Sequence, residues 1–146
     1  MEERKDRILF AEDDEEYIKP YQVSLEKVGF EVRHVSDGAL IVRILEEMGK
    51  DYFDVILSDT NLDFVKGPMG IRRALKKCLL DDSRTLIIGM SNDSNNQRYW
   101  RGLAHLGCFY DKDYFPKDII GEKVARDLRN FRSGGEWKNK MPRIQW

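Results

Sequence analysis

The sequence predicts an α/β fold, a doubly wound parallel sheet of five strands with helices on both faces. Five short apolar segments alternate along the chain with five amphipathic helical patterns, which is typical of parallel sheets. Two of the segments, 53–59 and 85–91, are almost continuously apolar, as expected for strands covered on both faces. The 146-residue length suits one domain with a single sizeable core.

The five predicted strands are the segments 7–12, 30–36, 53–59, 85–91 and 108–112. The second of them partly alternates between apolar and polar residues, so it is predicted to be more exposed than the others. Right-handed crossovers between parallel strands leave few topologies. If the strand order is 2-1-3-4-5, the first, third, fourth and fifth strands are neighbours.

The five predicted helices follow the strands in turn. Their apolar faces are Tyr17, Tyr21, Leu25 and Val28; Ile41, Ile44, Leu45 and Met48; Ile71, Ala74, Leu75, Cys78 and Leu79; Trp100, Leu103 and Ala104; and Ile120, Val124, Leu128 and Phe131. Gly29 and Gly49 end the first two patterns, and the fourth is expected to end near Gly107.

The domain is predicted to span residues 5–132, and residues 133–146 are predicted to be a tail. The tail has two glycines, a proline and two non-periodic tryptophans, Trp137 and Trp146, so docking and disorder are both open for it. No output domain is expected after it, which leaves a stand-alone protein or a domain of a longer one.

Composition makes several classes of function improbable. The formal net charge is only −1, which indicates neither a nucleic-acid nor a membrane partner. Two histidines, His34 and His105, disfavour histidine-rich metal sites and serine-type triads. Cys78 and Cys108 are predicted to be reduced packing residues of a cytoplasmic protein. Neither a signal peptide nor an apolar run long enough to span a bilayer is present.

Charged and polar side chains follow four of the predicted strands. Glu12 and Asp13 end the first strand, Asp59 the third, Ser91 the fourth and Lys112 the fifth. Ligands bind beyond the carboxyl ends of such strands, so these groups should meet at one edge. Clustered carboxylates repel one another, but they are favourable around a hard cation such as Mg²⁺. A carboxylate can also act as a nucleophile and form an aspartyl phosphate.

The arrangement resembles the receiver domain of two-component response regulators, of which chemotaxis receivers are an example, over about residues 5 to 132. The stretches "RILFAEDD", "DVILSDTNL", "LIIGMSND" and "GCFYDK" carry the resemblance, and Gly67 matches a glycine of the loop after the third strand. The resemblance implies a flavodoxin-like (βα)5 fold. It implies that Asp59 is the phosphoacceptor, that Ser91 and Lys112 assist, and that Glu12, Asp13, Asp59 and the backbone carbonyl of Asn61 hold Mg²⁺ or Mn²⁺.

The resemblance also implies a switch and its partners. Ser91 and Phe109 would be the switch pair, although a core role for Phe109 is the alternative, and Asn61 and Asp93 would tune dephosphorylation. A histidine kinase or histidine phosphotransfer protein would donate the phosphoryl group. A downstream protein would bind the face formed by the fourth helix, fifth strand and fifth helix. Such a chain is no enzyme beyond assisting its own phosphorylation and dephosphorylation.

The chain departs from the family pattern at two positions. Asp113 stands where a proline usually follows the lysine, so the usual cis peptide is in question. Asp63 replaces another common proline and adds an acid near the pocket. Asp14, Glu15 and Glu16 are predicted to be first-turn helix acids.

Three alternatives belong to other classes. The first is a receiver-like interaction module that is never phosphorylated, for which the missing proline leaves room. The second is a metal-dependent phosphatase or hydrolase, but the chain has no insertion that could form a substrate cap. The third is a flavodoxin-like electron carrier, but "AEDDEE" would repel a phosphate where a phosphate-binding loop is needed.

Overall fold

The computed structural model describes residues 4–105 and 108–134. Its five strands are β1 (Arg7–Ala11), β2 (Glu31–Val35), β3 (Val55–Asp59), β4 (Leu86–Ser91) and β5 (Phe109–Asp111). All pair in parallel in the order β2-β1-β3-β4-β5, which confirms the predicted topology. The predicted tail lies outside the described residues from residue 135 onward.

Four α-helices and two short 3-10 helices connect the strands. The α-helices are α1 (Glu15–Lys27), α2 (Gly38–Met48), α3 (Gly67–Lys76) and α4 (Ile120–Ser133), and the 3-10 helices are Ser94–Trp100 and Lys117–Ile119. None of the described helices is long and apolar enough to cross a membrane.

The prediction of a fourth α-helix is wrong. The segment after β4 forms the 3-10 helix Ser94–Trp100, followed by turns. Its start is rich in asparagine, aspartate and serine, whose side chains compete for backbone hydrogen bonds and disfavour helix interiors. The predicted apolar face is nevertheless buried, because Trp100, Leu103 and Ala104 all pack in the core.

Local signals explain where the α-helices begin. Asp14 caps α1 by accepting a hydrogen bond from the Glu16 backbone N–H at 2.9 Å. Glu15 and Glu16 lie in the first turn of α1, as predicted. Asp37 caps α2 in the same way, accepting from the Ala39 N–H at 2.7 Å.

Two apolar clusters cover the two faces of the sheet. One joins α1 and α4 to the face that contains Ile8, Phe10 and Leu57. The other joins α2, α3 and Trp100 to the opposite face, where alternate residues such as Leu9 and Ile56 point. With both faces covered, the central strands hold their carboxyl ends firmly at one edge.

One of the two cysteines lies differently from its predicted position. Cys78 is exposed and follows α3 with a φ of +57°, so it is not a packing residue, whereas Cys108 is buried as predicted. His105 is fully buried, and its Nδ1 accepts from the Ile87 N–H at 3.0 Å. The described residues contain no cis peptide, so the bond between Lys112 and Asp113 is trans.

Candidate phosphoacceptor and cation site

The sheet brings the predicted polar groups together at its carboxyl edge. Asp59 and Ser91 are the last residues of the neighbouring strands β3 and β4, Glu12 follows β1, and Lys112 follows β5. All four residues are buried. Buried ionisable groups are costly unless they are paired, so their contacts determine the properties of the site.

Lys112 pairs with two carboxylates. Its Nζ lies 2.8 Å from Glu12 Oε2 and 3.2 Å from Asp59 Oδ1, and all three side chains are at most 10% exposed. The ammonium also lies 4.0 Å from the centre of the Tyr17 ring, a cation–π contact. Burial alone would lower the pKa of Lys112, but Asp59 and Glu12 raise it overall, so the ammonium stays protonated.

Glu12, Asp13 and Asp59 form a carboxylate cluster. Each offers one oxygen, and these oxygens all lie within 4.8 Å of one another. Burial raises the pKa of Glu12 to about 7, the Asp59 charge adds to the rise, and Lys112 opposes it. Burial also raises the pKa of Asp59, again against the pull of Lys112. The cluster therefore carries more negative charge than one lysine neutralises, and its oxygen donors fit a hard divalent cation.

Asp63 adds a fourth acid beside the cluster, as predicted. Burial raises the pKa of Asp13, and the negative charge of Asp63 raises it further. The acid that replaces the usual proline is therefore coupled to the outer, half-buried member of the cluster.

Gly67 fixes the backbone behind the phosphoacceptor candidate. Its N–H donates to the Thr60 carbonyl at 3.1 Å, and a Cβ at this position would lie 2.1 Å from the Asp59 carbonyl oxygen. A side chain cannot be accommodated so close to backbone, so glycine is required. Gly67 is the first residue of α3 rather than a residue of the preceding loop.

The hydroxyl group of Ser91 already has two donors. Its Oγ accepts from the Asp93 backbone N–H at 3.1 Å and from Asn96 Nδ2 at 2.8 Å. Asn96 was not among the site residues predicted from the sequence. The polar run "NDSNNQ" does not distinguish which of its three asparagines turns back toward β4, so no local signal could have identified it.

A further contact, not predicted from the sequence, joins the 3-10 helix Ser94–Trp100 to the residue after β3. Trp100 Nε1 donates to Thr60 Oγ1 at 2.7 Å, and that hydroxyl donates to the Met90 carbonyl at 2.9 Å. The indole lies flat against β4, where a Cβ on Gly89 would come within 2.3 Å of it. The glycine within an otherwise apolar strand, "LIIGMS", is the signal that could have indicated a close packing partner.

The remaining predicted residues lie around this centre. Phe109 is half-buried and packs against the cluster that contains Trp100, which suits a core role and a switch role equally. Asn61 and Asp93 are both exposed, and Asp93 caps the 3-10 helix by accepting from the Asn95 N–H at 2.9 Å.

The sequence is similar to those of two-component response regulators. The two-component response regulator ARR11 of Arabidopsis thaliana is 29% identical over 104 residues, which are 71% of this chain and 19% of that protein. The two-component response regulator ORR26 of Oryza sativa subsp. japonica is 29% identical over 124 residues, which are 85% of this chain and 19% of that protein. The chain therefore spans about a fifth of the length of these relatives. No protein-family model matches it.

Solved structures agree on the fold. The CheY-like response regulator receiver domain protein from Methanospirillum hungatei JF-1 matches with a TM-score of 0.68 and 21% identity, covering 90% of this chain and 99% of the other. At that identity the likeness concerns the fold alone, while the sequence relatives are response regulators. The chain is therefore similar to two-component response regulators in sequence and to CheY-like receiver domains in fold.

Proposed function

We propose that this receiver domain accepts a phosphoryl group on Asp59 within a two-component or phosphorelay pathway. The observation that carries the proposal is the setting of Asp59, which is buried at the end of β3, 3.2 Å from Lys112 and within the carboxylate cluster. An ordinary surface aspartate has neither a buried ammonium partner nor neighbouring cation ligands.

The proposed reaction is a phosphoryl transfer from a phosphohistidine on a histidine kinase or phosphotransfer protein. A carboxylate oxygen of Asp59 attacks phosphorus, a P–O bond forms, and the P–N bond breaks. The imidazole nitrogen leaves with the bonding electron pair, and Asp59 becomes an acyl phosphate. The protonated Lys112 lies where it can pair with a phosphoryl oxygen as it arrives.

A divalent cation, Mg²⁺ or Mn²⁺, would offset the negative charge that the phosphoryl oxygens bring to the carboxylates. We propose that Asp13, Asp59 and the backbone carbonyl of Asn61 hold it, with Glu12 in support. The 4.8 Å spacing of the three carboxylates and the raised pKa of each support this assignment.

Phosphorylation would then change the contacts of Ser91. Its hydroxyl would leave Asn96 and the Asp93 N–H and donate to a phosphoryl oxygen, and Phe109 would move into the space released. This shift would bias a face made by the 3-10 helix Ser94–Trp100, β5 and α4. We propose that a downstream protein binds that face. We also propose that this chain acts in the cytoplasm as a signalling domain.

Acetyl phosphate labelling of the full chain tests the proposal. We expect one phosphoryl group to be gained in the presence of Mg²⁺ and not in EDTA, as measured by intact mass, with Asp59 identified by peptide mapping. Asp59→Asn should abolish the gain. Asp113→Asn, which removes an exposed acid next to Lys112, should not.

Acetyl phosphate labelling also tests the alternative function, a receiver-like interaction module that is never phosphorylated. That alternative is favoured by one observation, the engagement of Ser91 by two donors within the domain. A folded, Mg²⁺-exposed protein that gains no acid-labile mass would overturn the phosphoacceptor role and leave the interaction module as the better explanation.

A further inference from the structure

A cavity of about 470 Å³ opens between the start of α3 and the 3-10 helix Ser94–Trp100. Thr60 and Asn61, which directly follow the phosphoacceptor candidate, line one side of it. None of the three clustered carboxylates, Glu12, Asp13 and Asp59, lines the cavity, so it adjoins the cluster without including it.

Three cations surround the opening: Lys66, Arg72 and Arg98. All three are exposed, and within the described parts of the chain none has a carboxylate at ion-pair distance. The nearby Lys77, by contrast, pairs with Glu46 at 3.5 Å. No acid lines the cavity itself.

The wall of the cavity is apolar and half exposed. Met69 is 49% exposed and Tyr99 is 46% exposed, whereas the Pro68 beside them is buried. The Arg98 guanidinium lies 4.9 Å from the centre of the Tyr99 ring and donates to its hydroxyl at 2.9 Å, which holds the ring in place. Methionine adapts to varied apolar partners, and tyrosine is enriched at the energetic centres of interfaces.

We propose that this cavity docks an acidic peptide segment of a partner protein, with one apolar side chain seated between Met69 and Tyr99. Acidic residues on either side of that anchor would pair with Lys66, Arg72 and Arg98, for which residues 4–105 and 108–134 provide no carboxylate at ion-pair distance. A nucleic acid fits less well, because three cations do not form a basic stripe and only Tyr99 offers a stacking face.

This docking site is additional to the phosphoacceptor role and does not depend on it. It lies between the 3-10 helix Ser94–Trp100 and α3, and no residue of β5 or α4 lines it. Asn96 connects the two features, since it lines the cavity and also donates to Ser91.

A differential selection from a phage-displayed library of random peptides tests the inference. The library is first depleted on the full-length Arg72→Glu/Arg98→Glu variant and then selected on the unmodified chain, so that only peptides needing these two cations survive. We expect sequences in which leucine, methionine or phenylalanine is flanked by aspartate and glutamate. One synthetic peptide from the selection should shift the backbone NMR signals of residues 66, 69, 72, 98 and 99.

Matched variants separate this site from general electrostatics. Lys19→Glu/Arg33→Glu makes the same change in charge at exposed residues of α1 and β2, and it should leave peptide affinity within about twofold. Arg72→Glu/Arg98→Glu should weaken affinity at least about tenfold while its NMR spectrum remains that of a folded protein. The Asp59→Asn variant should bind the peptide with unchanged affinity. This result would distinguish a failure of the proposed docking from a failure of the proposed phosphorylation.

Three outcomes would overturn the inference. They are the recovery of no sequence, the recovery of neutral or basic sequences, and NMR shifts confined to another face. Shifts of the same residues by a single-stranded oligonucleotide, without any by the peptide, would assign the cavity to nucleic acid and likewise reject the peptide.

Discussion

At the residue scale, the site depends on how one ammonium is shared between two buried carboxylates. Lys112 contacts Glu12 at 2.8 Å and Asp59 at 3.2 Å, while Asp13 is held further out beside Asp63. Glu12 is fully buried, and its pKa of about 7 means that it can carry a proton at neutral pH in the absence of a cation. Its protonation therefore couples pH to the stability of the fold.

We expect Glu12 to make the metal-free protein less stable as pH rises. The pKa of Glu12 is about 7 in the fold, against an ordinary value of 4.5, so between these values the folded protein holds a proton that the unfolded chain has released. The free energy of unfolding should then fall by at most about 1.4 kcal/mol per pH unit from this group. Urea titrations in EDTA would measure it, and Glu12→Gln should flatten the slope. Equal slopes in both proteins would refute the assignment.

Asn61 and Asp93 are expected to control how fast the acyl phosphate is hydrolysed. Both are exposed at the rim of the site, where each could orient a water molecule that attacks the acyl phosphate. We expect a lifetime of minutes or less in the unmodified chain, and loss about tenfold slower in Asn61→Ala or Asp93→Ala. Phosphoryl loss followed by intact mass would show this. Asn95→Ala, an exposed neighbour, is the control, and unchanged rates in both variants would contradict the prediction.

At the scale of elements, the connection from β3 to α3 holds the phosphoacceptor strand in place. The Gly67 N–H bonds to the Thr60 carbonyl at 3.1 Å, and the Thr60 side chain bonds both Met90 and Trp100. The loop, β4 and the 3-10 helix Ser94–Trp100 therefore meet at the residue next to Asp59. A substitution in one of these three elements should therefore alter the contacts of the other two.

Gly67→Ala should be strongly destabilising. The new Cβ would lie 2.1 Å from the Asp59 carbonyl oxygen and 2.6 Å from Ser58 Oγ, so α3 or β3 must move. We expect a loss of about 3 kcal/mol, measured by urea denaturation. Gly49→Ala is the matched control: its φ of +94° is strained for alanine but no atom lies within 4 Å, so it should cost only about 1 kcal/mol. A cost for Gly67→Ala no larger than the control's would show that the loop adjusts freely.

At the scale of the whole molecule, cation binding and folding should be linked. The cluster draws its carboxylates from β3 and from the residues after β1, which come together only in the folded sheet. A ligand that binds the folded state alone stabilises it by mass action.

We expect Mg²⁺ at ten times its dissociation constant to raise the free energy of unfolding by about 1.4 kcal/mol. Thermal and urea unfolding with and without Mg²⁺, at constant ionic strength, would measure the difference. Asp13→Asn should remove most of it, whereas Asp113→Asn should retain it. A gain that is equal in both variants would indicate a general salt effect and would argue against the cluster as the site.

The order of the strands was implied by the family resemblance, whereas the amino-acid sequence was sufficient to predict the parallel sheet and the residues at the carboxyl ends of its strands. These are local properties: apolar runs such as "DVILSD" specify a buried strand, and the residue that ends the run marks the edge of the sheet. It was therefore possible to predict, before any contact was known, that four side chains lie together: Glu12, Asp59, Ser91 and Lys112. Asp63 could be placed beside them because it follows Asp59 by only four residues.

The pairing of those groups, by contrast, follows from the packing of distant elements. Lys112 contacts Glu12 a hundred residues away, Trp100 donates to Thr60 across two elements, and Asn96 rather than its neighbours reaches Ser91. The 3-10 helix in place of an α-helix is a result of the same kind, since burial of Trp100 against Gly89 helps to hold a segment whose own residues disfavour helix. Such contacts depend on the distance between elements after packing, a quantity that neither periodicity nor spacing along the chain contains.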